Sequence, residues 1–496
     1  MQDGKAESQL FRALRFVRAN LPAIAAVSAV VLVPCFWHRR IEAGDLPSHV
    51  YNAWLAQLIQ QGKASGLYTV WQWTNVLFDF LLLFSSKLLG FVAGPTVVVA
   101  FCVLFFFWGV FSFVAVTGGR APWLLTPLIA MLSYGYTFNM GFFNYYLSIG
   151  LGCFALALCW SGRAADLVVG AFFLALVLFA HPIGALWCVA TLTFVAAHRR
   201  LSGWRVLTLP ALAAGGALTL HWYLAHVSSW EINWLDRPFY FFNGSDQLIS
   251  YSDRGKWIAW SCLILLASWL VVEGFKWRKY QDQWKRFALL AELYALSFLA
   301  TSLSPQDLRL HPDGSWIGLL VNRLTVITAI FALCALNCLK PRKSVGILLI
   351  LCAAVFFVFL YQDTGAINHL EAHAEQITAK LPYGTLVIPT VSAPSSRIEF
   401  IGHVIDRACI GRCFTYSNYE PSSRQFRIRV QPGSPVATAR AADAEEMSAG
   451  TYVVQPNDPQ FVNVYQCDPD ADSTHLCTRM LHPGDTTALP TDQSAQ

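Results

Sequence analysis

Apolar runs long enough to reach across much of a lipid bilayer recur through the first three quarters of this chain. Such runs fold as membrane helices, because a helix satisfies every backbone polar group within its own segment. Only 13% of the 496 residues are charged, whereas a soluble domain carries about 25%. We therefore predict an all-α polytopic membrane domain over residues 1–361. Its eleven predicted spans are residues 21–37, 95–116, 123–138, 145–160, 167–180, 183–197, 206–225, 257–272, 287–303, 316–339 and 345–361.

The orientation follows from Lys and Arg residues in the short loops, which favour the cytoplasmic side. The basic residues of the N-terminal arm and of the later basic loops all fall on one side if residues 77–92 do not cross. Asp79 and Lys87 interrupt that segment, so we expect a surface helix within an outer first loop at 38–94. The N terminus is then cytoplasmic. The protein is expected in the plasma membrane, which in a bacterium is the inner membrane.

Residues 362–496 are polar and contain no spanning segment. After an odd number of spans they lie outside, and they are numerous enough for a small α/β domain. We expect a disordered tail from about residue 484. The predicted elements are a helix near 369–381 and strands at 385–389, 426–430, 452–455 and 462–466.

Four of the 13 cysteines lie in this outer domain, and an even count in an oxidising compartment predicts two disulfides. Pairing of near neighbours is the simplest of the three connectivities. The alternative is a zinc site that includes His403 or His475, which the spacing disfavours because it contains no paired Cys-x2-Cys pattern. The predicted pairs are Cys409 with Cys413 and Cys467 with Cys477.

The candidate catalytic residues follow the first span, in the sequence Gly-Asp-Leu-Pro-Ser-His at 44–49. Asp45 either caps a helix over residues 46–60 or acts as a base or metal ligand. His49 projects from the same face one turn later. There it orients the carboxylate, contacts a phosphate or binds a metal, or it is an isolated surface histidine. Glu42 is expected to be a solvated loop charge.

Two further residues are candidates for binding a phosphate. Arg323 is predicted about seven residues inside the tenth span, roughly 10 Å deep at 1.5 Å per residue. A guanidinium there binds an anion such as a lipid phosphate, snorkels, or pairs with Asp307 or Asp313. His181 separates two short apolar runs that form either a hairpin or one kinked helix. It reaches the same surface, or it is only an interfacial histidine.

This arrangement of an acidic first outer loop, a surface helix, further spans and an outer C-terminal domain resembles the GT-C superfamily. These enzymes are polyprenyl-phosphate-sugar glycosyltransferases. The resemblance covers mainly residues 1–200 and implies that Asp45 is catalytic, with a divalent metal such as Mg or Mn as a possible cofactor. The family usually has a second acidic residue between the third and fourth spans. This chain has Asn139 and Asn144 there instead, which become candidates for substrate binding.

The resemblance implies transfer of a sugar from a polyprenyl-phosphate donor to an unidentified acceptor on the extracytoplasmic face. Membrane lipid is a further expected partner. Asp45 would be the base, and Arg323 with His49 would hold the phosphate. One alternative is a transporter or flippase, although the sequence has no visible internal repeat. Another is a non-catalytic subunit for envelope polysaccharide assembly. The net charge of +5 forms no long basic run, so no nucleic-acid partner is expected.

Overall fold

The computed structural model describes residues 8–234, 242–275, 281–310, 316–339, 342–391, 396–398, 401–467 and 475–488. The chain is mostly helical, with a small mixed sheet in its C-terminal region. The helices are α1 (Gln9–Leu32), α2 (Leu46–Gln60), α3 (Leu77–Gly118), α4 (Thr126–Ser133), α5 (Tyr136–Asn139), α6 (Phe143–Cys159), α7 (Ala164–Ala180), α8 (Pro182–His198), α9 (Thr208–His226), α10 (Gly255–Gly274), α11 (Gln281–Leu303), α12 (Leu320–Cys338), α13 (Lys343–Thr378), α14 (Val404–Ala408), α15 (Tyr419–Ser423) and α16 (Ala441–Ala449). The strands are β1 (Leu67–Thr69), β2 (Glu231–Asn233), β3 (Asp307–Arg309), β4 (Trp316–Ile317), β5 (Leu386–Thr390), β6 (Phe414–Thr415), β7 (Ile428–Val430), β8 (Phe461–Gln466) and β9 (Leu476–Leu481).

Several helices have the length and composition of membrane spans, which confirms the prediction of a multi-pass membrane protein. Six in the described part of the chain are long and apolar enough to cross: Gln9–Cys35, Leu77–Gly118, Gly255–Gly274, Gln283–Leu303, Leu320–Cys338 and Lys343–Thr378. Three shorter apolar helices, α6, α7 and α8, lie between them in sequence. The count of eleven spans and the orientation stay predictions.

Helix breaks occur in two stretches of the chain, residues 123–138 and residues 77–116. The predicted span at 123–138 is divided into a 3-10 turn at Trp123–Leu125, α4 and α5. The predicted surface helix at 77–92 and the span at 95–116 lie in one element, α3, but Gly90 (φ 79°) separates two helical stretches there, close to the predicted boundary. Hydropathy could not predict the break within 123–138, because the residues on both sides of it are apolar.

The chain forms two compact units, each assembled from separate stretches of sequence. The first unit contains Met1–Val33, Phe101–Phe138 and Asn144–Phe359. The second unit contains Pro34–Ala100, Asn139–Phe143 and Leu360–Gln496. Most of the predicted first outer loop therefore belongs to the same unit as the C-terminal residues. The predicted domain division at residue 361 stays a prediction.

The second unit contains a four-stranded sheet in the order β6-β5-β8-β9. Strand β5 runs parallel to β6 and β8, and β9 is antiparallel to β8. Buried Ile388 of β5 and Phe461 of β8 form a core with Met447 of α16. A separate antiparallel pair, β1 with β7, joins the first loop to C-terminal residues through the register Leu67 to Val430.

Most predicted elements of the C-terminal region are present, with several differences. The helix predicted at 369–381 is the end of the continuous α13, and the strand predicted at 452–455 is only an isolated bridge from Val453 to Thr486. Strand β9 was not predicted. The tail was expected to be disordered from about 484, yet Asp485 accepts a backbone hydrogen bond from Val454 and Thr487 is buried. Residues 489–496 lie outside the described residues.

Both predicted cysteine pairs lie at disulfide distance. The Cα atoms of Cys409 and Cys413 are 4.7 Å apart, and those of Cys467 and Cys477 are 5.4 Å apart. Pairing leaves none of these four sulfurs as a thiolate, so the alternative zinc site with His403 or His475 lacks its ligands.

Candidate catalytic site

Helix α2 presents Asp45 at its start, as predicted from the sequence. Pro47 lies in its first turn, and its apolar residues Leu46, Val50 and Trp54 are buried. The Asp45 side chain makes no hydrogen bond to the helix backbone. The expected helix cap is therefore absent, and it does not explain an acidic residue at this position.

The carboxylate of Asp45 instead faces three side chains of the second unit. Tyr419 Oη donates a 2.9 Å hydrogen bond to Oδ1, while His49 Nε2 lies 3.4 Å from Oδ2. His403 Nε2 lies 4.0 Å from Oδ1. Burial raises the pKa of Asp45, but the charges of His49 and His403 and these hydrogen bonds outweigh it and hold the pKa below its usual value. The carboxylate is ionised at neutral pH.

His49 lies between two carboxylates and is buried, not an isolated surface histidine. Its Nδ1 is 2.8 Å from Asp79 Oδ1, on the face opposite Asp45. The Phe78 ring meets the imidazole edge to face at 5.5 Å. Burial lowers the pKa of His49, but Asp79 and Asp45 together raise it well above its usual value. The protonated ring then donates a hydrogen bond from each nitrogen.

Two functional residues that the sequence analysis did not connect with Asp45 are His403 and Tyr419. His403 precedes α14, where its Nδ1 lies 2.6 Å from Asp406 Oδ2. Burial opposes protonation, but Asp406 and Asp45 raise the pKa of His403. Burial and the charges of Asp45 and Glu420 raise the pKa of Tyr419, so this phenol stays a neutral donor. Neither residue belongs to a motif, and His403 was considered only as a zinc ligand.

The backbone of residues 139–141 fixes the position of Asp45. The carbonyl of Asn139 accepts a 2.7 Å hydrogen bond from the Gly44 N–H, and that of Met140 accepts one of 3.0 Å from Asp45. Gly141 has φ 85°, and a Cβ atom added there would lie 2.5 Å from the Asp45 nitrogen. Asn139 is therefore close to Asp45 through its backbone, whereas Asn144 belongs to the first unit.

The predicted phosphate ligands Arg323 and His181 lie in the first unit. Because α12 begins at Leu320 and β4 occupies the preceding residues, Arg323 lies in the first turn of α12. The helix begins four residues later than the predicted span, and the depth of Arg323 in the membrane stays a prediction. Tyr145 brings the two candidates together, since its hydroxyl donates to the Arg323 carbonyl and its ring contacts the His181 ring edge to face at 5.2 Å.

His181 has a local hydrogen bond, and one of the two acidic residues considered as partners of Arg323 has a backbone partner. His181 separates α7 from α8 with extended backbone, and its Nδ1 accepts a hydrogen bond from the Ile183 N–H. Asp307 accepts a 2.9 Å hydrogen bond from the Leu319 N–H at the start of α12. Asp313, the other proposed partner of Arg323, lies outside the described residues.

Glu42 is buried and not the solvated charge that the sequence suggested. Its Oε2 lies 3.1 Å from a guanidinium nitrogen of Arg407, which also pairs with Glu371. Burial and the neighbouring Glu371 raise the pKa of Glu42 well above its usual value. The error has a physical reason, because the compensating Arg407 is 365 residues away in sequence.

The geometry around Asp45 does not fit the divalent metal that the resemblance implied. Among the described residues, no group of three or more His, Cys, Asp and Glu side chains is arranged to hold a metal ion. We therefore derive no step through a metal, and metal dependence stays a prediction.

The second unit thus contains a buried cluster of carboxylate, imidazole and phenol groups in a multi-pass membrane protein. No protein-family model, curated protein or solved structure matches this chain. The GT-C resemblance stays a prediction.

Proposed function

We propose that this protein is an integral-membrane glycosyltransferase of the GT-C type, with eleven spans, a cytoplasmic N terminus and the second unit outside. Six long apolar helices and three shorter ones support a polytopic protein. Two cysteine pairs at disulfide distance support an oxidising compartment for the C-terminal region. The proposed donor is a sugar linked to polyprenyl phosphate.

The reaction requires few chemical groups from the protein. The acceptor oxygen bonds to the anomeric carbon, the bond from that carbon to the phosphate oxygen breaks, and the acceptor proton passes to a base. Because the phosphate leaves as an anion, the enzyme has to position the acceptor, take its proton and stabilise negative charge. We assign the proton to Asp45 and the charge stabilisation to the imidazolium groups of His49 and His403.

The observation that carries this assignment is the direction of the Asp45 carboxylate. It leaves the helix N terminus without a cap bond and meets Tyr419, His49 and His403 in a buried cluster. A pKa below the usual range keeps Asp45 ionised but makes it a weak base. We therefore expect proton transfer to accompany sugar transfer, with a contribution near the lower end of about 10² to 10⁴. Arg323 and His181 remain proposed anion ligands within the first unit.

The test is the substitution Asp45→Asn, which keeps the shape of the side chain and removes its charge. Purified protein would be given undecaprenyl-phosphate-linked labelled hexoses, and release of the lipid phosphate and appearance of labelled product would be measured. We expect transfer to fall at least about a hundredfold. Asp253→Asn is the matched control, because its side chain is 77% exposed.

Equal activity of Asp45→Asn and wild type, at matched thermal stability, would contradict the catalytic assignment. A wild-type protein that releases lipid phosphate from none of the donors would contradict the transferase. The transporter or flippase and the assembly subunit would then remain.

A further inference from the structure

A small cavity lies beside His49, on the side away from Asp45. Its volume is about 20 Å³, enough for one water molecule or one hydroxyl group. Its wall combines apolar side chains with acids and bases from separate elements of the second unit. The polar groups that line it include His49, Asn52, Gln72, Asp79, Glu420 and Arg427.

Glu420 is the unusual member of this wall. It is only 6% exposed, and its carboxyl group makes no hydrogen bond to any residue that the structure describes. Its position is nevertheless fixed, because its backbone N–H donates to Asn418 Oδ1 at the start of α15. A buried carboxyl group without a partner is costly unless it is protonated or meets a ligand.

The charges that face Glu420 come from three directions. His49 and Asp45 lie at the start of α2, Asp79 lies in the first turn of α3, and Arg427 precedes β7. Burial raises the pKa of Glu420 to about 8, with Asp79 and Asp45 adding to the shift and His49 and Arg427 opposing it. At neutral pH the group is a carboxylic acid with one hydrogen to donate.

The cavity therefore offers both donors and an acceptor in a space for one small group. The charges around it balance, because His49 and Arg427 are positive while Asp79 and Asp45 are negative, so no net charge favours an anion or a cation. A hydroxyl group both donates and accepts hydrogen bonds, so it fits this wall. Glu420 would donate to its oxygen, while the Asp79 carboxylate would accept its hydrogen.

We propose that the cavity lined by Glu420 and Asp79 is a hydroxyl-binding subsite that selects a neutral, polyhydroxylated acceptor such as a carbohydrate. This inference rests on the proposed function only in assigning the bound hydroxyl to the acceptor. His49 separates the subsite from Asp45, so a second hydroxyl of the same molecule would be the one that loses its proton. Residues 139–144 contain no carboxyl group. The carboxyl group of Glu420, from the C-terminal region, would take part in acceptor binding instead.

The test uses infrared difference spectroscopy of the protein in membranes perfused with a probe. Glu420→Gln should remove one carbonyl band of a protonated carboxylic acid at pH 7, and Glu445→Gln, at an exposed position, should leave it unchanged. Perfusion with methyl glucoside should shift that band in the wild type. Methyl glucuronide, its anionic counterpart, should not.

Two results would overturn the subsite: no carbonyl band lost in Glu420→Gln, or no shift of that band with methyl glucoside. Equal shifts with the neutral and anionic sugars would contradict the selection for a neutral acceptor. These spectra require no turnover. A shift with methyl glucoside in a wild-type protein that releases lipid phosphate from none of the donors would keep the subsite and reject the transferase. Sugar transfer by the wild type without a shift would reject the subsite alone.

Discussion

At the scale of single residues, two carboxyl groups of the second unit have opposite ionisation because their surroundings differ. Asp45 faces a phenol and two imidazole rings whose pKa values are raised, and its own pKa is lowered. Glu420 is buried beside Asp79 without a hydrogen bond among the described residues, and its pKa is raised to about 8. Pairs of acids whose pKa values are pushed apart are a common arrangement in enzymes that transfer protons.

Glu420 makes stability depend on pH in a defined direction. Its pKa is higher in the folded protein than in the unfolded chain, so its stabilising contribution is present below about pH 4.5 and is lost as pH rises through about 8. Relative to Glu420→Gln, the wild type should lose up to about 1.4 kcal/mol of unfolding free energy per pH unit in this window. Thermal unfolding of both proteins in detergent between pH 5 and 8 measures this difference. A constant difference would show that Glu420 is ionised throughout.

At the scale of elements, the sequence predicts the helix starts and strands that residues close together in the chain determine. The start of α2 was predictable because Pro47 follows Asp45 before a periodic apolar face, and β5 and β8 were predictable from apolar runs bounded by turn residues. The break of the predicted span at 123–138 was not predictable, since its residues are apolar on both sides. The partners of Asp45 were not predictable either, because tertiary contacts alone select His403 and Tyr419.

Gly141 offers a test of how the short segment before α6 positions Asp45. Gly141→Ala should cost about 1–2 kcal/mol for its positive φ, plus about 1–3 kcal/mol for the contact with the Asp45 backbone. Gly62→Ala is the control, since Gly62 has φ 69° and no atom within 4 Å of an added Cβ. Thermal unfolding and sugar transfer of both variants should show a larger loss for Gly141→Ala in each assay. Equal losses would mean that the contact has no effect on Asp45.

At the scale of the whole molecule, composition was sufficient to predict a multi-pass membrane protein. The even cysteine count, with pairing of near neighbours, predicted both cysteine pairs. The burial of Glu42 could not be predicted, because a charge is stable in a protein interior only with a compensating partner. That partner, Arg407, lies in the C-terminal region. Sequence patterns report neighbours along the chain, whereas the second unit joins three distant stretches.

The proposed orientation predicts which positions face the outside. We expect a membrane-impermeant maleimide to label Asn457→Cys in intact cells, and to label Arg200→Cys only after permeabilisation. Both positions are exposed, and the background would lack the native free cysteines but keep both disulfides. External labelling of Arg200→Cys would overturn the eleven-span arrangement. Protection of Asn457→Cys would reverse the predicted side of the C-terminal region.

The distance along the chain between Asp45 and Tyr419, 374 residues, has a consequence for how the protein is made. A ribosome synthesises Asp45 and His49 first and supplies His403 and then Tyr419 only several hundred residues later, Tyr419 being 374 residues after Asp45. Until then Asp45 has neither its phenol donor nor its second imidazole. A nascent or truncated chain that ends before Tyr419 would therefore contain the early membrane helices and the first loop, but no assembled proton-transfer site, so the proposed activity begins only after Tyr419 has been synthesised.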